Sequence, residues 1–61
     1  MIVNVTYNPQ EAIQGVLWSA RGGWLTIRDA SGLTPGSEPT PIDGDVVIHT
    51  SKVAYFQVLA P

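Results

Sequence analysis

Cysteine is absent from the 61 residues, and histidine occurs once, at His49. No disulfide can brace such a chain. A structural zinc site, which takes four nitrogen or sulfur ligands, has too few candidates. Charge is scarce too. Arg21, Arg28 and Lys52 stand against Glu11, Asp29, Glu38, Asp43 and Asp45, a charged share of 13% where soluble domains carry about 25%. The net charge of -2 disfavours nucleic acid as a partner, because that affinity rests on Lys and Arg neutralising phosphates. No apolar run approaches the ~20 residues a membrane-crossing helix needs. The opening MIVNVTYNPQ has no basic segment or small-residue cleavage pattern, so no signal peptide is expected. The lack of cysteine fits an intracellular protein.

What is present is an ordinary apolar share of 44%. A chain this short is one domain at most. It buries only ~60% of the surface its unfolded form exposes, so its stability calls for reinforcement. With disulfides and zinc set aside, self-association or docking on a larger assembly remains.

The apolar pattern is that of strands. Ile2 to Tyr7 alternates Val3, Val5 and Tyr7 against Ile2, Asn4 and Thr6, the period of a strand with one buried face. Asn8-Pro9 ends it, and Pro9 to Ala12 can form one helical turn with Asn8 as N-cap. Ala12 to Ala20 is a second strand, with Gly15 marking a bend or a close backbone approach. Arg21-Gly22-Gly23 is a hairpin turn. Trp24 to Ala30 is a third strand, and Ser31-Gly32 begins a break. Leu33 to Gly44, with Pro35, Gly36, Pro39 and Pro41, reads as a loop. Asp45 to Thr50 and Val53 to Leu59 are a fourth and a fifth strand, joined by a 3₁₀ turn at Ser51-Lys52. Five strands are too few for a two-faced sandwich, so the expected fold is an all-β, five-stranded closed barrel.

This order of elements resembles the SH3-like and Sm-like small barrels. Ile13-Gln14-Gly15-Val16-Leu17 is similar to the bent second strand of Sm-like proteins, and Asp43 to Leu59 to their closing pair. Sm proteins that bind RNA carry an Asp and an Asn after the second strand and an Arg-Gly or Lys-His pair in the last turn. The turns here read Ser19-Ala20-Arg21-Gly22-Gly23 and Thr50-Ser51-Lys52, so the resemblance implies the fold without the RNA site. The combination GVLWSARGGWLTIRDA, DGDVVI and VAYFQVL also resembles short proteins encoded in the structural gene blocks of tailed phages of actinobacteria. That resemblance implies a virion component assembled in the host cytoplasm: a minor capsid or decoration protein bound to the major capsid protein.

No residues form a nucleophile–base or metal constellation, so no enzyme, metal or cofactor is expected. His49 reads as a structural histidine. Asp43 and Asp45 read as turn residues beside Gly44, and Arg28-Asp29 as a strand end. Arg21-Gly22-Gly23 is no phosphate loop, because no helix follows it. The informative residues are Trp18 and Trp24, which share the parity opposite Ile13-Leu17 and Leu25-Ile27 and should approach each other across the hairpin. If the Leu/Ile face is the core, they form an outer apolar patch with Val16. If the parity reverses at Gly15, they are the core. The candidate interface is Val16, Trp18, Trp24, Pro35, Pro39, Pro41, Tyr55 and Phe56. The leading expectation is a non-enzymatic structural protein of a viral particle. A ring of Sm-like nucleic-acid-binding modules, with Arg21, Arg28 or Lys52 facing a pore, is second. A small adaptor or inhibitor of a host protein is third.

Overall fold

Alternation decides the core. In the computed structural model, which describes residues 1–8 and 10–60, β1 runs Ile2–Asn8. Its Val3 and Val5 are fully buried. Strand β2 spans Glu11–Arg21 and β3 spans Trp24–Leu33; they add Ile13, Leu25, Ile27 and Ala30 to the same buried cluster. Each fully buried Val or Ile is worth about 1.5–3 kcal/mol. Tyr7, Leu17, Ile42, Val46, Ile48 and Val53 pack around this cluster. The core is small and wholly aliphatic.

Every ladder is antiparallel, and the strands form one six-stranded sheet. The path runs β4 (Thr40–Pro41), β3, β2, β1, β6 (Tyr55–Ala60), with β5 (Val46–His49) also on β3. The all-β expectation holds. The strand count is six because β3 continues through Ser31-Gly32, where a break was expected, and captures Thr40-Pro41 from the loop. Among the described residues no ladder joins β5 to β6, so hydrogen bonding does not close the sheet into the expected barrel.

Asp29 and Gly15 explain the continuation of β3. Gln14 pairs with Ser31 and Val16 with Arg28, so Asp29 and Ala30 together oppose Gly15. Asp29 takes φ 51°, a left-handed conformation that a short polar side chain tolerates. This is a bulge inside β3, where Arg28-Asp29 had read as a strand end, and it turns the sheet sharply. Gly15 permits it: a Cβ there would lie 2.6 Å from Ile27 Cγ2 and 2.8 Å from the Arg28 carbonyl oxygen. The bend and close approach expected at Gly15 are thus both present. A second bulge falls in β2, where Trp18 is the extra residue between Leu17, paired with Ile27, and Ser19, paired with Thr26.

The turns follow their chemistry. Arg21 pairs with Trp24, leaving Gly22 and Gly23 as a two-residue loop with φ 57° and 84°, the positive φ pair of a type I′ hairpin. The 3₁₀ turn covers Thr50–Lys52 and is tied to that hairpin by the Thr50 N–H donating to the Gly23 carbonyl at 2.8 Å. The Ala54 N–H donates to the Thr6 carbonyl at 2.8 Å, which delivers the chain to β1 and starts β6 two residues later than Val53. The helical turn expected over Pro9 to Ala12 does not form where it can be seen: Glu11 and Ala12 belong to β2. Asn8 Oδ1 accepts from the Gln10 N–H at 2.8 Å, an Asx turn that reverses the chain. Pro9 lies outside the described residues.

Candidate functional site

The two tryptophans lie outside. Pairing sets Trp24, Thr26 and Arg28 in a row on the outer face of β3. Arg21, Ser19 and Val16 of β2 flank them on one side, and His49 and Val47 of β5 on the other. The parity question is settled by Leu25 and Ile27, which face inward from the same strand. Trp18 is 61% exposed, Trp24 52% and Val47 58%. Val16 is half-buried beside them.

Each tryptophan is held by a different neighbour. The Arg28 guanidinium carbon stands 4.0 Å from the Trp18 ring centroid, a cation–π contact worth about 0.5–1 kcal/mol at an exposed site. Arg28 Nε also reaches Asp45 Oδ2 at 3.4 Å. Trp24 meets His49 edge-on, with centroids 4.8 Å apart. The His49 Nδ1 accepts from the Ser51 N–H at 3.1 Å and lies 2.9 Å from Ser51 Oγ. His49 therefore caps the 3₁₀ turn and buttresses Trp24, a structural role. The bulge at Trp18 sends the two rings to separate supports, where the hairpin alone would have brought them together. The result is a face with two exposed aromatic rings, each resting on one neighbour.

The other interface candidates divide. Pro41 sits in β4 against Ser31, at the far end of β3 from Trp24. Pro35 and Pro39 are exposed in the adjoining turns. Pro35 and Tyr55 do come together: with Asn4, Thr6 and Glu11 they line an open groove of about 320 Å³. Phe56 faces the opposite way, since it pairs with buried Val5. Sequence parity did not single out Val47, because an unbroken Val46-Val47-Ile48 run hides which residue points outward.

Among the described residues no three His, Cys, Asp or Glu side chains gather in a way that could hold a metal, and no helix is long and apolar enough to cross a membrane. Of the three cations, Arg28 is committed to Trp18 and Asp45. No protein family, curated protein or solved structure matches the chain.

One titration carries a sign. The Tyr7 hydroxyl donates to Glu11 Oε2 at 3.0 Å. Desolvation raises its pKa above the ordinary 10.0, and the hydrogen bond and the negative charge of Glu11 push the same way. The unfolded chain ionises first as pH rises, so stability is level below about pH 10 and falls as pH climbs from there towards the folded value. Urea midpoints across this range should decline for the parent chain. The decline should be shallower for Tyr7→Phe, which has no phenol at this position to titrate; an equal slope in both chains would refute the assignment.

Proposed function

We propose that this chain is a non-enzymatic structural protein that docks on a larger assembly through its tryptophan face. The observation that carries the reading is the exposure of Trp18, Trp24 and Val47 together on one sheet face. Large apolar side chains gathered on one exposed face mark interaction sites, and tryptophan leads the residues that dominate binding energy. The low charge of the chain fits an extensive, apolar contact of the obligate kind. The assembly proposed is a viral particle, with the chain as a minor capsid or decoration protein on the major capsid protein. That part rests on the resemblance of GVLWSARGGWLTIRDA and VAYFQVL to short virion proteins of tailed phages. Docking buries the tryptophan face, with the exposed Pro35, Pro39 and Pro41 as a separate contact at the far end of β3. No observation favours the nucleic-acid or host-adaptor readings over this one.

Particles purified to homogeneity from lysates in which the chain is expressed provide the test. Mass spectrometry should find the chain in fixed ratio to the major capsid protein, cross-linked to it through the sheet face bearing Trp18 and Trp24. Its loss during purification, with all of it recovered in the soluble fraction, would refute the virion assignment.

A further inference from the structure

Strand β6 is mostly apolar, uncharged and, among the described residues, paired along one edge only. Phe56 pairs with Val5 and Val58 with Val3. Residues directly opposite in an antiparallel pair point to the same side, so Phe56 and Val58 face the side on which Val3 and Val5 are fully buried. Yet Phe56 is 47% exposed and Val58 52%, and neither belongs to the apolar shell around the core. On the other face Tyr55 is 63% exposed, and Leu59, the unpaired extra residue of a bulge, is 43% exposed. Among the described residues β6 ladders with β1 alone. Alternate residues of its outer edge therefore present unpaired N–H and C=O groups. Proteins blunt such edges with lysine, proline, inward charge or a bulge; Tyr55 to Val58 has none of these, and the one bulge of the strand, at Leu59, falls near its end. The total surface, 4174 Å² for 6.5 kDa, exceeds the roughly 3,800 Å² expected of a monomer this size.

We infer that β6 pairs antiparallel with β6 of a second copy about a two-fold axis through Gln57, making one continuous sheet across the dimer. Three features select a second copy as the occupant. The strand is neutral, so self-pairing sets no like charges against each other. An axis perpendicular to the sheet keeps the core side of both copies on one side, which requires each residue to face one of the same parity. The Gln57-centred register meets that requirement: Phe56 lies opposite the partner's Val58, and Val58 opposite the partner's Phe56. The four side chains then cover one another on the core side of the sheet, where Phe56 and Val58 are exposed in the single copy. At the axis the two Gln57 amides face each other and can exchange hydrogen bonds. The pairing uses the same edge on both copies, so assembly stops at two. This inference stands apart from docking through the tryptophan face, which lies on β2, β3 and β5.

Sedimentation equilibrium of the full chain, with single-cysteine cross-linking, provides the test. The chain should sediment at twice its 6.5 kDa. Gln57→Lys sets two ammonium groups against each other at the axis and should weaken the dimer roughly tenfold or more, with an unchanged circular dichroism spectrum. Gln57→Cys should oxidise to a disulfide dimer, because directly opposite residues stand about 4.5–5.5 Å apart at Cα. Tyr55→Cys, which faces the partner's Leu59, should not. A monomer persisting at about 1 mM, the weak end of specific association, would overturn the proposal. So would a ring or open polymer, or equal cross-linking at positions 55 and 57.

Discussion

Gly15→Ala is expected to lose about 2–3 kcal/mol of stability, and Gly15→Val more than about 4, leaving the valine chain largely unfolded at 25 °C. A Cβ at Gly15 would stand 2.6 Å from Ile27 Cγ2, 2.8 Å from the Arg28 carbonyl oxygen and 3.1 Å from the Ala30 Cα. Two of those neighbours are backbone and belong to the Asp29 bulge. They cannot retreat without undoing the pairing of Val16 with Arg28 or of Gln14 with Ser31. The third, Ile27, is the largest of the fully buried side chains of the core. Against a total stability of about 3–9 kcal/mol for a chain this long, the loss is a large fraction. Urea unfolding gives the values. Gly36→Ala serves as the control. Gly36 has φ 80° but open space around it, so only the conformational cost of about 1 kcal/mol applies. If Gly15→Ala were no worse than Gly36→Ala, the account of the bend would be wrong.

The second large effect separates binding from folding. Trp18→Ala and Trp24→Ala should each weaken docking by about 2 kcal/mol or more, roughly thirtyfold, as truncation of anchor aromatics does. The cost to the fold should be small, because both rings stand mostly in solvent. Trp18 loses only its contact with Arg28 and Trp24 its edge contact with His49, each about 1 kcal/mol or less. Binding of each variant to purified major capsid protein, read beside its urea midpoint, measures both quantities. Variants that unfold in proportion to their lost binding would return the tryptophans to the core.

Much of this fold was legible in the chain, and the reasons are local. Val3, Val5, Ile13, Leu25 and Ile27 announce the core by period-2 alternation, and Gly22-Gly23 announces its turn by the need for positive φ. The prospect of self-association or docking came from length and composition, through a chain too short to bury enough surface and without cysteine or a zinc site to brace it. What could not be read depends on pairing. Ser31-Gly32 has the composition of a turn, but the bulge at Asp29 restores it to the sheet and gives Thr40-Pro41 a strand to join. The choice between a tryptophan core and a leucine core rests on the register of the β2–β3 pair, where bulges at Asp29 and Trp18 fall, and one residue of slip exchanges the faces. The last strand could not be placed either: pairing turns Phe56 and Val58 to the core side, yet both extend beyond the small core that β1, β2 and β3 make. Closure of the sheet into a barrel is likewise a matter of long-range geometry, which short strands and turn signals do not encode.

The central claim is that the tryptophan face is open in the isolated chain and covered in the assembly. Labelling with 5-fluorotryptophan gives the two indoles separate fluorine resonances. The account predicts that both shift between H₂O and D₂O in the free chain, and that both lose this sensitivity when the labelled chain is bound to the major capsid protein. Resonances blind to solvent in the free chain, or equally solvent-sensitive in the complex, would contradict it.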